Sequence, residues 1–412
     1  MRRILISAAL ATSLAVTGLT AAVPAQAASG GPVDDIAFGM HVPQVSQGES
    51  TSVNDGSIRL WDSGVAWGQV EQKKGKYWWD GLDRAIGNAN SQGLQIMYVL
   101  GSTPKWAASS TKQGTYPNKG AASMPKSIKD WKNWVTAVAK RYGNSIESYQ
   151  IWNEANLTTF WQGTPKQMAQ LTQEAYKIIR KYDPTAKVVA ASTTLRLQSA
   201  YKKFFPDYLK ELKKLNWPVD VIAVHGYPAS TGTPADRVAL IQQAQADMKK
   251  GKVPASKALW DTEVNYGIAG PGSGNPRRVI DGADAAAWVA QTYLDDLRLG
   301  VGRAYWYYWL NNSSLVGIQM FTGTTGALGY QTVRGWLNGR FYDCQAGTVN
   351  TCNLGDNDNP RVVAWASKGS GTFTVPQNAT VTCNALNQCS AVAPGSQVTI
   401  GSMPQWFGTS AS

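Results

Sequence analysis

From residue 36 to residue 309 the chain alternates short apolar runs with longer stretches whose apolar residues recur at helical spacing. Eight runs have strand length: 36–41, 57–62, 94–100, 148–153, 187–191, 219–225, 258–263 and 303–309. The stretches between them predict helices over 79–91, 127–142, 164–182, 201–215, 234–250 and 281–300, several opened by Ser, Thr or Asp at the N-cap place. Strands that are almost wholly apolar are buried on both faces, as in a parallel sheet covered by helices. Eight such units over ~300 residues are the content of a (β/α)8 TIM barrel. After Trp336 the period shortens, and runs at 362–365, 372–375, 379–382 and 397–400 are separated by Gly, Asn and Pro turns. The expected fold class is therefore α/β, with a barrel over 28–335 and a small, β-rich, sandwich-like unit over 336–412. That unit reads either as a carbohydrate-binding module or as a sandwich packed on the barrel.

The N-terminus changes the picture by setting the compartment. Met1-Arg2-Arg3 is positive, residues 4–23 are mostly apolar, and Ala25-Gln26-Ala27 has the small residues of a cleavage site. Residues 1–27 thus read as a signal peptide and the mature protein as secreted. Thr, Ser and Gly dilute the apolar run, which argues against a membrane anchor, so no membrane insertion is expected. The four cysteines, Cys344, Cys352, Cys383 and Cys389, all lie in the C-terminal unit. In an exported protein an even count implies disulfides. Three pairings can be drawn, of which the local pairs 344–352 and 383–389 are expected. A zinc site would need histidine or closely paired cysteines there, and the region has neither.

Composition and charge narrow the partners. The formal charge is +12, with Lys residues clustered at 202–214 and 249–257 in predicted surface helices. No basic run is interleaved with stacking aromatics as single-strand binders require, so nucleic acid is not an expected partner. An acidic polysaccharide or an anionic cell envelope suits the charge better. The chain holds 17 Trp and 17 Tyr but only 16% charged residues. Large aromatic faces stack on sugar rings, although any one ring can equally fill the core.

Candidate chemistry sits at two strand ends. The run from Ile146 through Trp152 delivers Asn153 and Glu154, and the run Ala258-Leu259-Trp260-Asp261-Thr262 delivers Glu263 ahead of a Gly/Pro-rich loop. Two strand-end glutamates suggest paired-carboxylate chemistry. With Trp-Asn-Glu on the fourth strand and Glu on the seventh, the chain resembles the retaining (β/α)8 glycoside hydrolases of clan A. It is most similar to family 39 and its relatives, the xylosidase and iduronidase type, which also carry an appended β-sandwich. One departure is Ala155, where many relatives have proline.

Carried over position by position, the resemblance makes Glu154 the general acid/base and Glu263 the nucleophile of a double displacement. It implies that Asn153 bonds the sugar 2-hydroxyl, that Arg59 lies beneath the nucleophile and keeps it ionised, and that His225 and Tyr227 orient it. Asn153 could otherwise be a helix N-cap and Arg59 a structural ion-pair partner. The other histidine, His41, also ends a predicted strand. Sugar-stacking candidates are Trp61, Trp67, Trp106 and either Trp306 or Trp309. Strand alternation puts Tyr305, Tyr307 and Trp309 on one face and Trp306 and Tyr308 on the other, and Trp309, nearest the loop, is the expected floor of the subsite. Alternation also predicts Asp261 on the face of Glu263, one layer deeper, as a hydrogen-bonding support, and Asp62 turned away from its neighbour Trp61. Loops 102–126 and 265–281 are long enough to wall a pocket or border a cleft.

Other chemistries lack their residues. The nearest approach to a nucleophile elbow, Gly270-Pro271-Gly272-Ser273-Gly274, has no histidine after it, and no phosphate loop, dinucleotide fingerprint or zinc-protease motif occurs. No cofactor and no metal are expected. A monomer is the default expectation. The expected substrate is a polysaccharide or oligosaccharide, cut by an exo-glycosidase of xylosidase or arabinosidase type or by an endo-glycanase. The rival from another class is a non-catalytic glycan-binding or envelope protein on a barrel scaffold, which would need the aromatics but not both glutamates.

Overall fold

The computed structural model describes residues 28–410 except 113, 115, 356–358 and 360, so the expected signal peptide lies outside the described residues. Strand β1 (Ala28–Gly30) precedes the barrel strands β2 (Phe38–Met40), β3 (Ser57–Leu60), β4 (Gln95–Val99), β5 (Ser148–Gln150), β6 (Lys187–Val189), β7 (Thr193–Thr194), β8 (Val221–His225), β9 (Ala258–Val264) and β10 (Val301–Trp306). They pair in parallel in the order β6-β5-β4-β3-β2-β10-β9-β8-β7, and a β6–β8 pairing closes the ring. The barrel thus has eight strands, the fifth broken into β6 and β7. The break at residues 190–192 becomes part of the site.

The helices are α1 (Trp67–Val70), α2 (Asp80–Ser91), α3 (Ile128–Tyr142), α4 (Pro165–Tyr182), α5 (Gln198–Lys214), α6 (Pro234–Gly251), α7 (Gly282–Leu299) and α8 (Thr325–Leu337). Their starts follow local chemistry. Ser127 caps α3 by accepting from the Lys129 N–H, and α4 opens with a Thr164/Gln167 capping box and proline in its first turn. Helix α8 was not anticipated, because three glycines dilute its helical signal. One of them has a packing reason: a Cβ on Gly329 would lie 2.6 Å from the Ala286 backbone, so only glycine lets α8 press onto α7.

Inside the barrel, Met97, Val189, Val221, Ala223, Trp260 and Tyr305 form one packed layer. Below it the Arg303 guanidinium lies 4.2 Å from the Trp260 ring centre and 3.0 Å from Glu147, plugging the N-terminal end. The opposite end stays open.

The C-terminal strands are β11 (Tyr342–Gln345), β12 (Asn350–Asn353), β13 (Arg361–Trp365), β14 (Gly371–Thr374), β15 (Val381–Asn384), β16 (Cys389–Ala391), β17 (Gln397–Ile400) and β18 (Gln405–Gly408). Seven strands form one antiparallel sheet in the order β1-β11-β12-β13-β18-β15-β16, and β14–β17 is a separate ribbon. Strand β1 therefore joins the start of the described chain to the C-terminal unit, and the last barrel helix runs past residue 335. Alternation sorts the faces. Val363, Trp365 and Trp406 turn to the barrel, where Trp406 stacks on Trp336 at 6.2 Å, while Ala364 and Phe407 pack under the ribbon. Cys344–Cys352 and Cys383–Cys389 are bonded, each across an antiparallel strand pair. These are the expected local pairs.

Candidate active site

Strand β5 ends at Gln150, and the chain then carries Asn153 and Glu154 over the barrel mouth. Glu154 has φ of 40°, a left-handed backbone that a long side chain adopts only when its surroundings impose it. The break between β6 and β7 imposes it here. The Glu154 N–H donates to Ser192 Oγ at 2.9 Å, the Ala155 N–H to the Ser192 carbonyl at 2.9 Å, and the Ser192 N–H to the Trp152 carbonyl at 3.0 Å. Asn156 extends the clamp by donating to the Thr194 carbonyl and accepting from its N–H, both at 3.0 Å.

Glu263 is aimed differently. In the β8–β9 register Val224 faces Asp261 and His225 faces Glu263, so one extra residue is accommodated in β9. This bulge re-aims the side chains. Asp261 turns out to the helix layer, where it accepts from Gly226 N–H at 2.8 Å and pairs with Arg237 of α6 at 2.7 Å. That corrects the expectation that Asp261 lies beneath Glu263. Thr262 turns inward and accepts from Gln150 Nε2 at 3.2 Å, and Glu263 follows it into the mouth.

Arg59, 1% exposed, links these parts. It donates to Glu263 Oε1 at 2.6 Å, to Asn153 Oδ1 at 2.7 Å and to Gln150 Oε1 at 2.7 Å. Tyr227 Oη donates to Glu263 Oε2 at 2.8 Å. His225 Nδ1 lies 3.1 Å from Glu154 Oε1 and 3.3 Å from Glu263 Oε2. Its Nε2 is buried without a partner, which favours the neutral tautomer with the proton on Nδ1, since an unpaired N–H would cost more than an unpaired lone pair. His41 does not line the cavity. It sits behind Arg59, with Nε2 3.2 Å from the Thr262 carbonyl and 3.3 Å from Arg59 Nη1.

Burial dominates the electrostatics. It pushes the Glu154 carboxyl up to about 7, opposed chiefly by the Arg196 charge. Burial raises Glu263 as well, opposed by His225 and by Arg59. His225 itself is held down to about 3 by burial despite the pull of Glu263, so at neutral pH it acts on Glu263 as an N–H dipole and Arg59 supplies the full charge. One carboxyl near neutrality and another bonded to a buried cation are the division that acid–base work requires.

The two glutamates face one cavity of about 490 Å³. Trp61, Tyr116, Phe160, Tyr227 and Tyr307 give it aromatic walls, and Ile268 to Pro271 close one side, so both long loops wall a pocket. Asp62 lines it too, contrary to the alternation reading. Strand β3 ends at Leu60 and Asp62 takes φ of 62°, turning its carboxylate in to accept from Tyr116 and Tyr307 hydroxyls, each at 2.6 Å.

Three expected sugar platforms lie elsewhere. Trp67 is fully buried and donates to Glu71 Oε2 at 2.7 Å. Trp106 donates to the Glu71 carbonyl at 2.7 Å and packs edge-on against Trp67, in the aromatic cluster between α1 and α3. Trp309 is 4% exposed and donates to Glu49. Strand β10 stops at Trp306, so period-two alternation does not extend to Trp309, and Tyr307 faces the cavity in its place. Residues missed in the sequence are Ser192, Tyr116 and Arg196. Only Arg196, a charge between two leucines just past a strand end, carried a visible signal.

Among the described residues, Glu154, His225 and Glu263 are also a place where metal-binding groups converge, with one donor atom of each within 4.8 Å of the others. Arg59 already gives Glu263 its compensating charge at 2.6 Å, and a divalent cation would stand beside that guanidinium. The donor set fits an acid–base pair better than a cation site.

Residues 60–307 match a family model described as glycosyl hydrolases family 39. A beta-xylosidase of Geobacillus stearothermophilus is 26% identical over 156 residues, which are 35% of this chain and only 30% of that protein. A family 39 glycoside hydrolase from the gut symbiont Bacteroides cellulosilyticus superposes with a TM-score of 0.68 at 16% identity, over 92% of this chain and 82% of that one. A family 39 beta-xylosidase from Caulobacter crescentus superposes with a TM-score of 0.66 at 16% identity, over 92% and 97%. At these identities the two structures attest the fold.

Proposed function

This chain belongs to the glycosyl hydrolases of family 39, and from that membership we propose that it is a secreted, retaining glycosidase with Glu154 as acid/base and Glu263 as nucleophile. The observation that carries the reading is the carboxylate pair, with one oxygen of each within 4.8 Å of the other at one cavity. Retaining enzymes hold their carboxyls ~5–5.5 Å apart, whereas inverting ones leave ~6.5–9.5 Å for a water. Glu154, still protonated near neutrality, gives its proton to the leaving oxygen while Glu263 attacks the anomeric carbon to form a glycosyl-enzyme. The Glu154 carboxylate then takes a proton from water, and that water releases the sugar.

Arg59 serves both halves. It holds Glu263 ionised, and by fixing Asn153 Oδ1 it leaves the amide N–H groups for a sugar hydroxyl in the cavity that Asn153 lines. A bond to the 2-hydroxyl that strengthens as charge develops would favour the transition state. The cavity walled by both long loops supports exo action, and family membership supports equatorial bonds, of β-xylosidic, β-glucosidic or α-L-arabinosidic type. Export is supported by the charged, apolar and small-residue order of residues 1–27.

The test is hydrolysis of a panel of plant, microbial and acidic glycans by the mature chain beside its Glu263→Gln variant, with products resolved by size and anomeric configuration followed by proton NMR. Retained monosaccharides from the wild type alone are expected. An inverted product would overturn the mechanism. Binding without cleavage by both proteins would move the weight to a glycan-binding protein, which the pairing of both glutamates disfavours. N-terminal sequencing of the exported protein is expected to begin at Ala28.

A further inference from the structure

Beside the catalytic cavity lies a second hollow of about 700 Å³, and Arg196 and Leu197 line both. This groove runs over the loop that follows Glu154, through Ala155, Asn156, Thr158 and Trp161, and reaches Lys203 on α5. Neither glutamate lines it; it begins at the residue after Glu154. Because an acid/base stands on the leaving-group side of the bond it protonates, a groove on the far side of Glu154 is where the departing saccharide would lie.

Its charge has one sign. Arg196 is half-buried, enters no ion pair among the described residues, and donates from Nη1 to the Gly270 carbonyl. A guanidinium has five N–H donors in a planar fork, and the remainder of this one borders cavity and groove. Lys203 is exposed at the other side, and no carboxylate other than Glu154, Asp62 and Glu263 lines either hollow. Its nearest charge partner is Glu154, which acts on it through space without an ion-pair contact and is itself held protonated near neutrality, so the partly desolvated guanidinium still lacks a full counter-ion on its groove side. Burial indeed pushes the Arg196 guanidinium below its usual range. The uncapped first turn of α5 also borders the groove and adds its dipole in the same sense.

We propose that Arg196, assisted by Lys203, recognises a carboxylate on the leaving-group sugar, so that this enzyme prefers bonds whose departing saccharide is a uronic acid. The inference rests on Glu154 being the acid/base only for naming the groove as the leaving-group side. Planar, bidentate pairing with a carboxylate is what an arginine fork does better than a lysine.

The test measures binding of methyl β-D-glucuronide and methyl β-D-glucoside to the mature chain by calorimetry, at two salt concentrations. The wild type is expected to bind the glucuronide roughly tenfold more tightly, the size of one charge-assisted contact, and added salt should shrink that ratio. Arg196→Met should bring the ratio close to one, Arg196→Lys should keep part of it, and Lys203→Ala should lower it slightly. Equal affinities in the wild type, a preference that survives Arg196→Met, or no binding of the glucuronide at millimolar concentration would each overturn the proposal. The assay reads binding rather than turnover, and repeating it with the Glu263→Gln protein removes any slow hydrolysis of the glucoside. A wild type inactive on every glycan that still distinguished the two ligands would refute the glycosidase reading while leaving the anion site standing.

Discussion

Strand β9 holds two buried carboxylates two residues apart, Asp261 and Glu263, and each is bonded to a buried arginine, Arg237 and Arg59. Asp261 shares Arg237 with Asp296 of α7 at 2.6 Å, inside the layer between sheet and helices, and lines neither hollow of the barrel mouth. Glu263 has the same kind of partner but keeps one face on a cavity, and His225 ties it to a second carboxyl. Burial raises both groups, and an arginine opposes both rises. A perturbed carboxyl beside an arginine is therefore no mark of function by itself. What separates the two is an open face with a proton-carrying partner across it.

The comparison breaks most visibly at Glu263. Glu263→Gln keeps the side chain's shape but removes the charge and one of its two hydrogen-bond acceptors, and with them the proposed nucleophile. So kcat per folded molecule is expected to fall by more than about 10⁴-fold, with some loss of stability because Arg59 loses its counter-charge. A variant with most of its activity would return Glu263 to the class of Asp261. Next in size is Glu154→Ala, where loss should depend on the leaving group: roughly 10²–10⁴-fold on sugar aglycones, which need the proton, and far less on activated aryl glycosides. Equal losses on both would deny Glu154 the acid role.

The arginines sharpen the contrast. Arg237→Met strands two buried carboxylates and should lower stability by about 3–5 kcal/mol in chemical denaturation, yet leave kcat/KM per folded molecule nearly unchanged. Arg59→Met should act on rate instead. Without that charge Glu263 ionises only at higher pH, so the acidic limb of the rate profile moves up. A variant of Arg59 that lost stability but kept its pH profile would make it a second Arg237.

How much of this was legible followed the physics of each signal. The barrel could be read because strands buried on both faces leave an apolar run that little else produces, as in β8 with its five consecutive buried residues. Glu154, Glu263, Asn153, Arg59, His225 and Tyr227 could be placed because each lies within or just past such a run. Errors arose where period-two alternation was carried past the point at which the backbone stops obeying it. The bulge in β9 reversed Asp261, a left-handed residue reversed Asp62, and the end of β10 at Trp306 exchanged Trp309 for Tyr307. Helix α8 was hidden by glycines needed for packing on α7. Ser192 and Tyr116 come from a strand break and a loop, where periodicity carries no information.

The finest distinction concerns which neighbours set the proton on Glu154. Its carboxyl is raised from the ordinary glutamate range to about 7, so it is protonated below that pH and loses its proton above it. An acid that must enter the reaction protonated keeps kcat/KM level below its pKa and lets it fall tenfold per unit above, so the alkaline limb is expected near 7. Two neighbours act on it with opposite signs: Asp62 raises it and Arg196 lowers it. Asp62→Asn should therefore move the alkaline limb down and Arg196→Met should move it up, each by a shift small beside the losses above. A substitution that only loosened the pocket would lower kcat/KM at every pH and leave the limb in place, so opposite displacements in the two variants would separate charge tuning from damage.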